Sequence, residues 1–185
     1  MNHNITAAMI GCVSLLGGAF VTAQQDPRTA LAALLQPPQW ESCEEMHDTY
    51  VRRFANARGF GLQRMPQPAM SDRSGVLDTG RIRYALDSIE LVGLLKPGMP
   101  VAYVPGPHTE KPSGADFKSR PLTEVENAAI AAFRQGRDIV STSDAPGTLL
   151  CVGALRAKDA CVGCHQDKKA GDLLGAFSYR MRENK

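Results

Sequence analysis

Cys161-Val162-Gly163-Cys164-His165 is the stretch on which the reading of this chain turns. Two thiols three residues apart can each add across a vinyl group of haem, and the imidazole directly after the second can bind the iron through Nε2. That is the attachment pattern of c-type haem. A structural zinc site needs four ligands, and a second close pair such as CxxC or HxxxH is missing elsewhere in the chain. A thioredoxin-like redox pair belongs near a βαβ pattern in a cytosolic chain, and neither condition is met. The expectation is one covalent haem c, with thioethers at Cys161 and Cys164 and His165 as proximal ligand.

The position of the motif narrows the fold. Only 20 residues follow His165. Small class I cytochromes carry CxxCH near the N-terminus and a Met ligand well downstream, an arrangement this chain has no room for. The cytochrome c′ family does place CxxCH close to the C-terminus, on the last helix of a four-helix bundle, so an all-α bundle of that kind is the alternative. It needs long uninterrupted helices, whereas prolines and β-type runs dominate between Gly59 and Pro121.

Taken in order, the chain reads as mixed α and β. Thr29 to Leu35 is a short Ala/Leu run ended by Pro37-Pro38. Trp40 to Ala57 has the strongest helical signal: Trp40, Cys43, His47, Tyr50, Phe54 and Ala57 recur at three- and four-residue spacing and form one stripe. Acidic residues crowd its first half and basic ones its second, as the helix dipole favours, and Gly59 and Gly61 stop it. Gln63 to Asp78 reads as loop, and Ile82 to Leu95 is apolar and ambiguous between helix and strand. Val101 to Val104 is a β-type run bracketed by prolines, and Gly106 to Arg120 a polar loop. Pro121 to Gly136 is a second helix with Thr123 and Glu126 as capping box. Asp138 to Val140 and Thr148 to Leu155 read as strands, the latter delivering the CxxCH on a short helical turn, and Leu173 to Met181 as a closing strand.

The first 23 residues read as a secretory leader. Ile5 to Phe20 is apolar apart from small residues, and Val21-Thr22-Ala23 suits a cleavage site before Gln24, although Met1 to Asn4 contains no Lys or Arg. An uncleaved leader would anchor the protein through residues 5–23. Either way the body, residues 24–185, is expected outside the cytoplasm as a single haem domain, periplasmic or otherwise exported. Of the five cysteines, Cys12 falls in the leader. Cys43 and Cys151 are left over, and three outcomes stand side by side: a disulfide, a distal thiolate from Cys43, or two buried thiols.

The tail carries a resemblance. Cys161 to His165 followed by Gly171-Asp172-Leu173-Leu174-Gly175-Ala176-Phe177-Ser178 resembles exported single-haem domains of PAS-like α+β fold, in which CxxCH precedes a glycine-led closing strand. It also resembles single-haem proteins of planctomycete-type bacteria, with parallels at Leu91 to Leu95 and Pro100 to Val104. The resemblance spans about 30 residues at the C-terminus. It implies a small antiparallel sheet with flanking helices, a haem-sensing or electron-transfer role, and a distal ligand from an N-terminal helix. Cys43 is the matching position, with His47 one turn away as rival.

Composition bounds the functional classes. Hydrophobic residues at 43% and charged ones at 22% are those of an ordinary globular protein, and a net charge of +2 gives no reason to expect nucleic acid as partner. Residues 151 to 185 carry an excess of three positive charges, a rim suited to an acidic redox partner or simply a solvated terminus. A six-coordinate electron carrier is the first expectation and a gas or redox sensor with a labile distal site the second. Met46, Met65, Met70 and His108 are weaker ligand candidates than Cys43 and His47. A peroxidase would need a distal His with a nearby Arg. His47 and Arg52 or Arg53 exist, but nothing brings them together over an iron, so a catalyst is not the expectation.

Overall fold

The computed structural model describes residues 38–59, 61–65, 75–94, 100–105 and 117–184. The leader, the Thr29 to Leu35 run, Met70 and His108 lie outside the described residues. Within them, eight strands form one sheet: β1 (Gln39–Trp40), β2 (Val76–Asp78), β3 (Arg83–Gly93), β4 (Val101–Pro105), β5 (Phe117–Pro121), β6 (Ile139–Thr142), β7 (Thr148–Arg156) and β8 (Leu173–Glu183). Three helices accompany it: α1 (Cys43–Asn56), α2 (Glu124–Arg134) and the single-turn α3 (Asp159–Val162). The class is α+β, and the all-α bundle is excluded. No helix among the described residues is long and apolar enough to cross a membrane.

The sheet runs β1-β2-β3-β8-β7-β6, with β4 and then β5 added beside the C-terminal half of β3. Every pairing is antiparallel except β1 with β2. The two long central strands decide what covers each face. On β7, Leu149, Cys151 and Leu155 pack into the core with α1, while Leu150, Val152 and Ala154 pack into the core with α2. On β8, Phe177, Tyr179 and Met181 join the first core and Ala176 the second. Strict alternation therefore sends α1 and α2 to opposite faces of the sheet.

β3 resolves the ambiguity of Ile82 to Leu95 in favour of a strand, and its register shows why the sequence is equivocal. Leu86, Ile89 and Leu91 all face the α1 core, although Leu86 and Ile89 are an odd number of residues apart. A bulge between Leu86 and Ser88 in the pairing with β8 absorbs the extra residue and returns the chain to the same face. The apolar spacing then has neither period 2 nor period 3.6.

Both predicted long helices form. α1 starts three residues later than the stripe suggests: Trp40 pairs in β1, and Ser42 caps the helix by accepting from the Glu45 amide at 3.1 Å. Its buried residues are Cys43, Met46, His47 and Tyr50. α2 carries the full Thr123/Glu126 capping box. Glu126 does more than cap. It is buried, and burial would raise its pKa, but hydrogen bonds from Arg120, the Thr123 amide and Ser178 outweigh that and hold it at about 2. Two expected loops yield strands at their ends: β2 closes the Gln63 to Asp78 stretch, and β5 the Gly106 to Arg120 stretch.

Candidate functional site

β7 and β8 are neighbours joined by residues 157–172, and this connection carries the CxxCH. Its base is pinned by two backbone bonds, Ala157 N–H to Asp172 O at 2.8 Å and Gly171 N–H to Ala157 O at 2.9 Å. Gly171 has φ of 91°, a conformation that favours glycine. Inside the loop, Lys158 O accepts from Cys161 N–H at 2.8 Å, and Cys161 O accepts from the amides of Cys164 at 3.2 Å and His165 at 3.0 Å. These are consecutive helical turns. Positions i, i+3 and i+4 share a face in such turns, so Cys161, Cys164 and His165 are presented together.

What they face is a cavity of about 630 Å³, within the range of small-molecule and cofactor sites. Cys161, Cys164 and His165 all line it. The other walls are the second half of α1 (Val51, Phe54, Ala55), the 3₁₀ turn Gly61–Arg64, the ends of β3 and β4 (Leu91, Val92, Gly93, Val101, Tyr103), and the β7 and β8 ends nearest the loop (Leu155, Arg156, Leu174, Gly175). The lining is mainly apolar. Gly93 and Gly175 pair with each other across β3 and β8, on the face that Leu91 and Phe177 present to α1. Neither position carries a side chain of its own; the Tyr103 ring of β4 lies over Gly93, and the cavity opens beside it.

Exposure grades across the motif. Cys161 and His165 are half-buried and Cys164 is exposed, so one edge of the site meets solvent. Neither motif cysteine is in a disulfide. Among the described residues the His165 imidazole has no hydrogen-bond partner, which leaves its ring nitrogens open to a ligand role.

The two distal candidates lie elsewhere. Cys43 is joined to Cys151 by a disulfide that ties α1 to β7, with Cα atoms 6.5 Å apart, so it offers no thiolate. Of the three outcomes for these cysteines, the structure has the disulfide. His47 is buried beneath α1 with both ring nitrogens engaged. Its Nε2 lies 3.0 Å from the Ala154 carbonyl and Nδ1 lies 2.8 Å from the Tyr179 hydroxyl. A carbonyl only accepts, so Nε2 carries the proton and Nδ1 accepts from Tyr179. Burial lowers the His47 pKa below 6.5, and burial likewise pushes the Tyr179 hydroxyl well above its ordinary value. Neither Cys43 nor His47 lines the cavity, because the first half of α1 sits over β7 and only its second half reaches the opening.

The weaker candidates separate as well. Met46 and Met65 are buried core residues. Arg52 and Arg53 are exposed, Arg53 lying over the Tyr50 ring, so the peroxidase pairing of His47 with either arginine is not assembled. The basic rim is partly neutralised: Arg156 pairs with Asp138, Lys168 with Asp167, Arg180 with Asp144 and Arg182 with Asp87. No cluster of three or more His, Cys, Asp or Glu side chains among the described residues is placed to hold a bare metal ion.

Sequence reasoning missed the far walls. Arg64 fell in a stretch read as loop, Leu62 just before it received no reading, and Leu91 to Gly93 lay in a segment whose period the bulge obscured. Tyr103 was seen only as part of a short β-type run; pairing with β3 is what brings it to the site. No family model matches the chain, and no curated protein or solved structure is significantly similar to it.

Proposed function

We propose that the protein is an exported monohaem c-type cytochrome of PAS-like α+β fold that works in electron transfer. One observation carries the reading: the only CxxCH of the chain lies on the wall of an apolar cavity of cofactor size, with Cys161, Cys164 and His165 all among the lining residues. The residues fit the group. Cys161 and Cys164 would hold haem through thioethers and His165 would bind its iron, while Val51, Phe54, Leu91, Leu155 and Leu174 would exclude water from the macrocycle. Bound there, haem supplies a one-electron ferric/ferrous couple whose potential is set by ligands and burial.

The chain's own residues suit electron exchange. Cys164 is exposed and Cys161 half-buried, so the thioether edge lies at the surface, where a partner protein can approach. The pinned loop base and the sheet behind it hold the motif on a rigid frame, which limits reorganisation on electron transfer. The buried Cys43–Cys151 disulfide supports an oxidising compartment, where c-type haem is also attached. A redox partner, acidic to suit Lys158 and Lys169, belongs to this reading.

A sensor is the second reading, and a specific observation favours it. Among the described residues lining the cavity there is no His, Met or Cys outside the motif itself. An iron without a strong sixth ligand binds small gases.

The test is the visible spectrum of the dithionite-reduced, full-length protein matured in a periplasm, before and after carbon monoxide, with Cys161→Ala/Cys164→Ala as control. A covalent haem spectrum that the control lacks is expected; its absence from the wild type overturns the proposal. A low-spin spectrum indifferent to carbon monoxide keeps the carrier, and a rapid carbonyl shift moves the assignment to the sensor.

A further inference from the structure

We infer that Arg64 binds one of the two haem propionates, an assignment that rests on the haem reading above. The charged side chains on the described cavity wall besides His165 are Arg64, Arg156 and Lys158, and no Asp or Glu lines it. An apolar cavity whose charges are all cationic suits an amphipathic anion, and haem with its propionates is one.

The three cations are not equivalent. Arg156 is committed: its Nε donates to Asp138 at 2.6 Å, Nη2 to the carbonyls of Phe133 and Arg137 at 3.0 Å each, and Nη1 to Gly171 O at 3.3 Å. Lys158 stands three residues before Cys161, on the loop that would fix the vinyl edge of the macrocycle. Propionates project from the opposite edge. Arg64 belongs to a different segment, the 3₁₀ turn that follows α1.

Its setting is that of a prepared carboxylate ligand. The guanidinium lies 5.3 Å over the Phe54 ring, and Nη2 donates to the Ala55 carbonyl, so two cavity-lining residues of α1 hold it. Its Nε is buried and has no hydrogen-bond partner. A buried N–H without an acceptor is rare in folded proteins, and Nε with a neighbouring Nη is one of the two-donor forks that arginine offers to carboxylates. A propionate at this position satisfies the orphaned donor.

The experiment uses the full-length protein matured in a periplasm, as wild type, Arg64→Gln and Arg64→Lys. Alkaline pyridine spectra first establish covalent haem in each. Midpoint potentials are then followed by spectroelectrochemistry from about pH 5 to 8, where a propionate freed of its cation titrates. The wild type is expected to be flat in the part of that range where the pair keeps the propionate ionised. Arg64→Gln is expected to have a lower potential at the alkaline end and a new rise as the pH falls, because the unpaired carboxylate now takes up a proton. Arg64→Lys, which keeps the charge but loses the fork, gives the same step with smaller amplitude. A purely structural arginine would change stability without adding a protonation step. Profiles of Arg64→Gln and wild type that superimpose, with covalent haem intact, overturn the assignment of Arg64 alone; if Arg64→Gln does not mature, superposition of Arg64→Lys on the wild type overturns it. Absence of covalent haem from the wild type overturns the haem reading and this assignment with it.

Discussion

Two glycine sites on one face of the sheet are each covered by a ring, but only one of them borders open space. At Gly153 in β7 the space is filled: a Cβ there would overlap the His47 ring, which packs edge-on against Phe177 with centroids 6.3 Å apart and has both nitrogens hydrogen-bonded. At Gly93 and Gly175, beside it in the same sheet, a Cβ would overlap the Tyr103 ring and the Val92 carbonyl, yet next to that ring the cavity is left. One helix covers both. The first half of α1 brings Cys43 and His47 to the closed gap, and the second half brings Val51, Phe54 and Ala55 to the rim of the open one. Polar groups with every partner in place hold a fold together; a half-buried thiol, an imidazole and a guanidinium Nε that have no hydrogen-bond partner among the described residues are groups waiting for a ligand.

The comparison breaks first at the disulfide. Cys43→Ser/Cys151→Ser opens a loop of 108 residues, and in the chain-entropy account this costs about 4–5 kcal/mol of unfolding free energy, measured by urea denaturation. A loss well under 1 kcal/mol would mean that the closed half does not depend on the bond. Next in size, Gly153→Ala forces the His47 ring out of its gap and is expected to cost about 1–3 kcal/mol, as overpacking does.

The His47 pH effect is smaller and has a defined sign. Its folded-state pKa lies below the unfolded value of 6.5, so its contribution is complete above that pH and is lost as pH falls from 6.5 through the lowered folded value. Unfolding free energy against pH should fall there by at most about 1.4 kcal/mol per unit, and His47→Gln should remove that slope. A variant with the wild-type slope would place the titration on another group.

The smallest stability effect belongs to the open half. Val51→Phe projects into the cavity, so the unfolding free energy should change by less than about 1 kcal/mol, while covalent haem yield or the reduced spectrum changes markedly. The opposite pattern, a large loss of stability with an unaltered spectrum, would show that both halves of α1 are core.

Much of this was legible along the chain because it is local. The apolar stripe of α1, the Thr123/Glu126 box, the β-type run of Thr148 to Leu155 and the turn that carries the CxxCH depend on neighbours within a few residues, and each forms. β3 was illegible because its bulge destroys the period by which a strand is recognised. Arg64 was illegible because nothing in Gly61-Leu62-Gln63-Arg64 marks it; its importance comes from a ring and a carbonyl of α1 and from the wall it joins.

The division is clearest at Cys43 and His47. By itself the sequence determined that they share the buried stripe of one helix, and that two thiols and an imidazole are spaced for haem. Only the tertiary structure decided which partners that stripe meets. Alternation on β7 places Cys151 and Gly153 beneath the first half of α1, so the cysteine finds a cysteine and the histidine finds a gap, a carbonyl and a hydroxyl. The cavity falls one half-helix further on, where Val51, Phe54 and Ala55 face the paired glycines of β3 and β8 and the Tyr103 ring across open space.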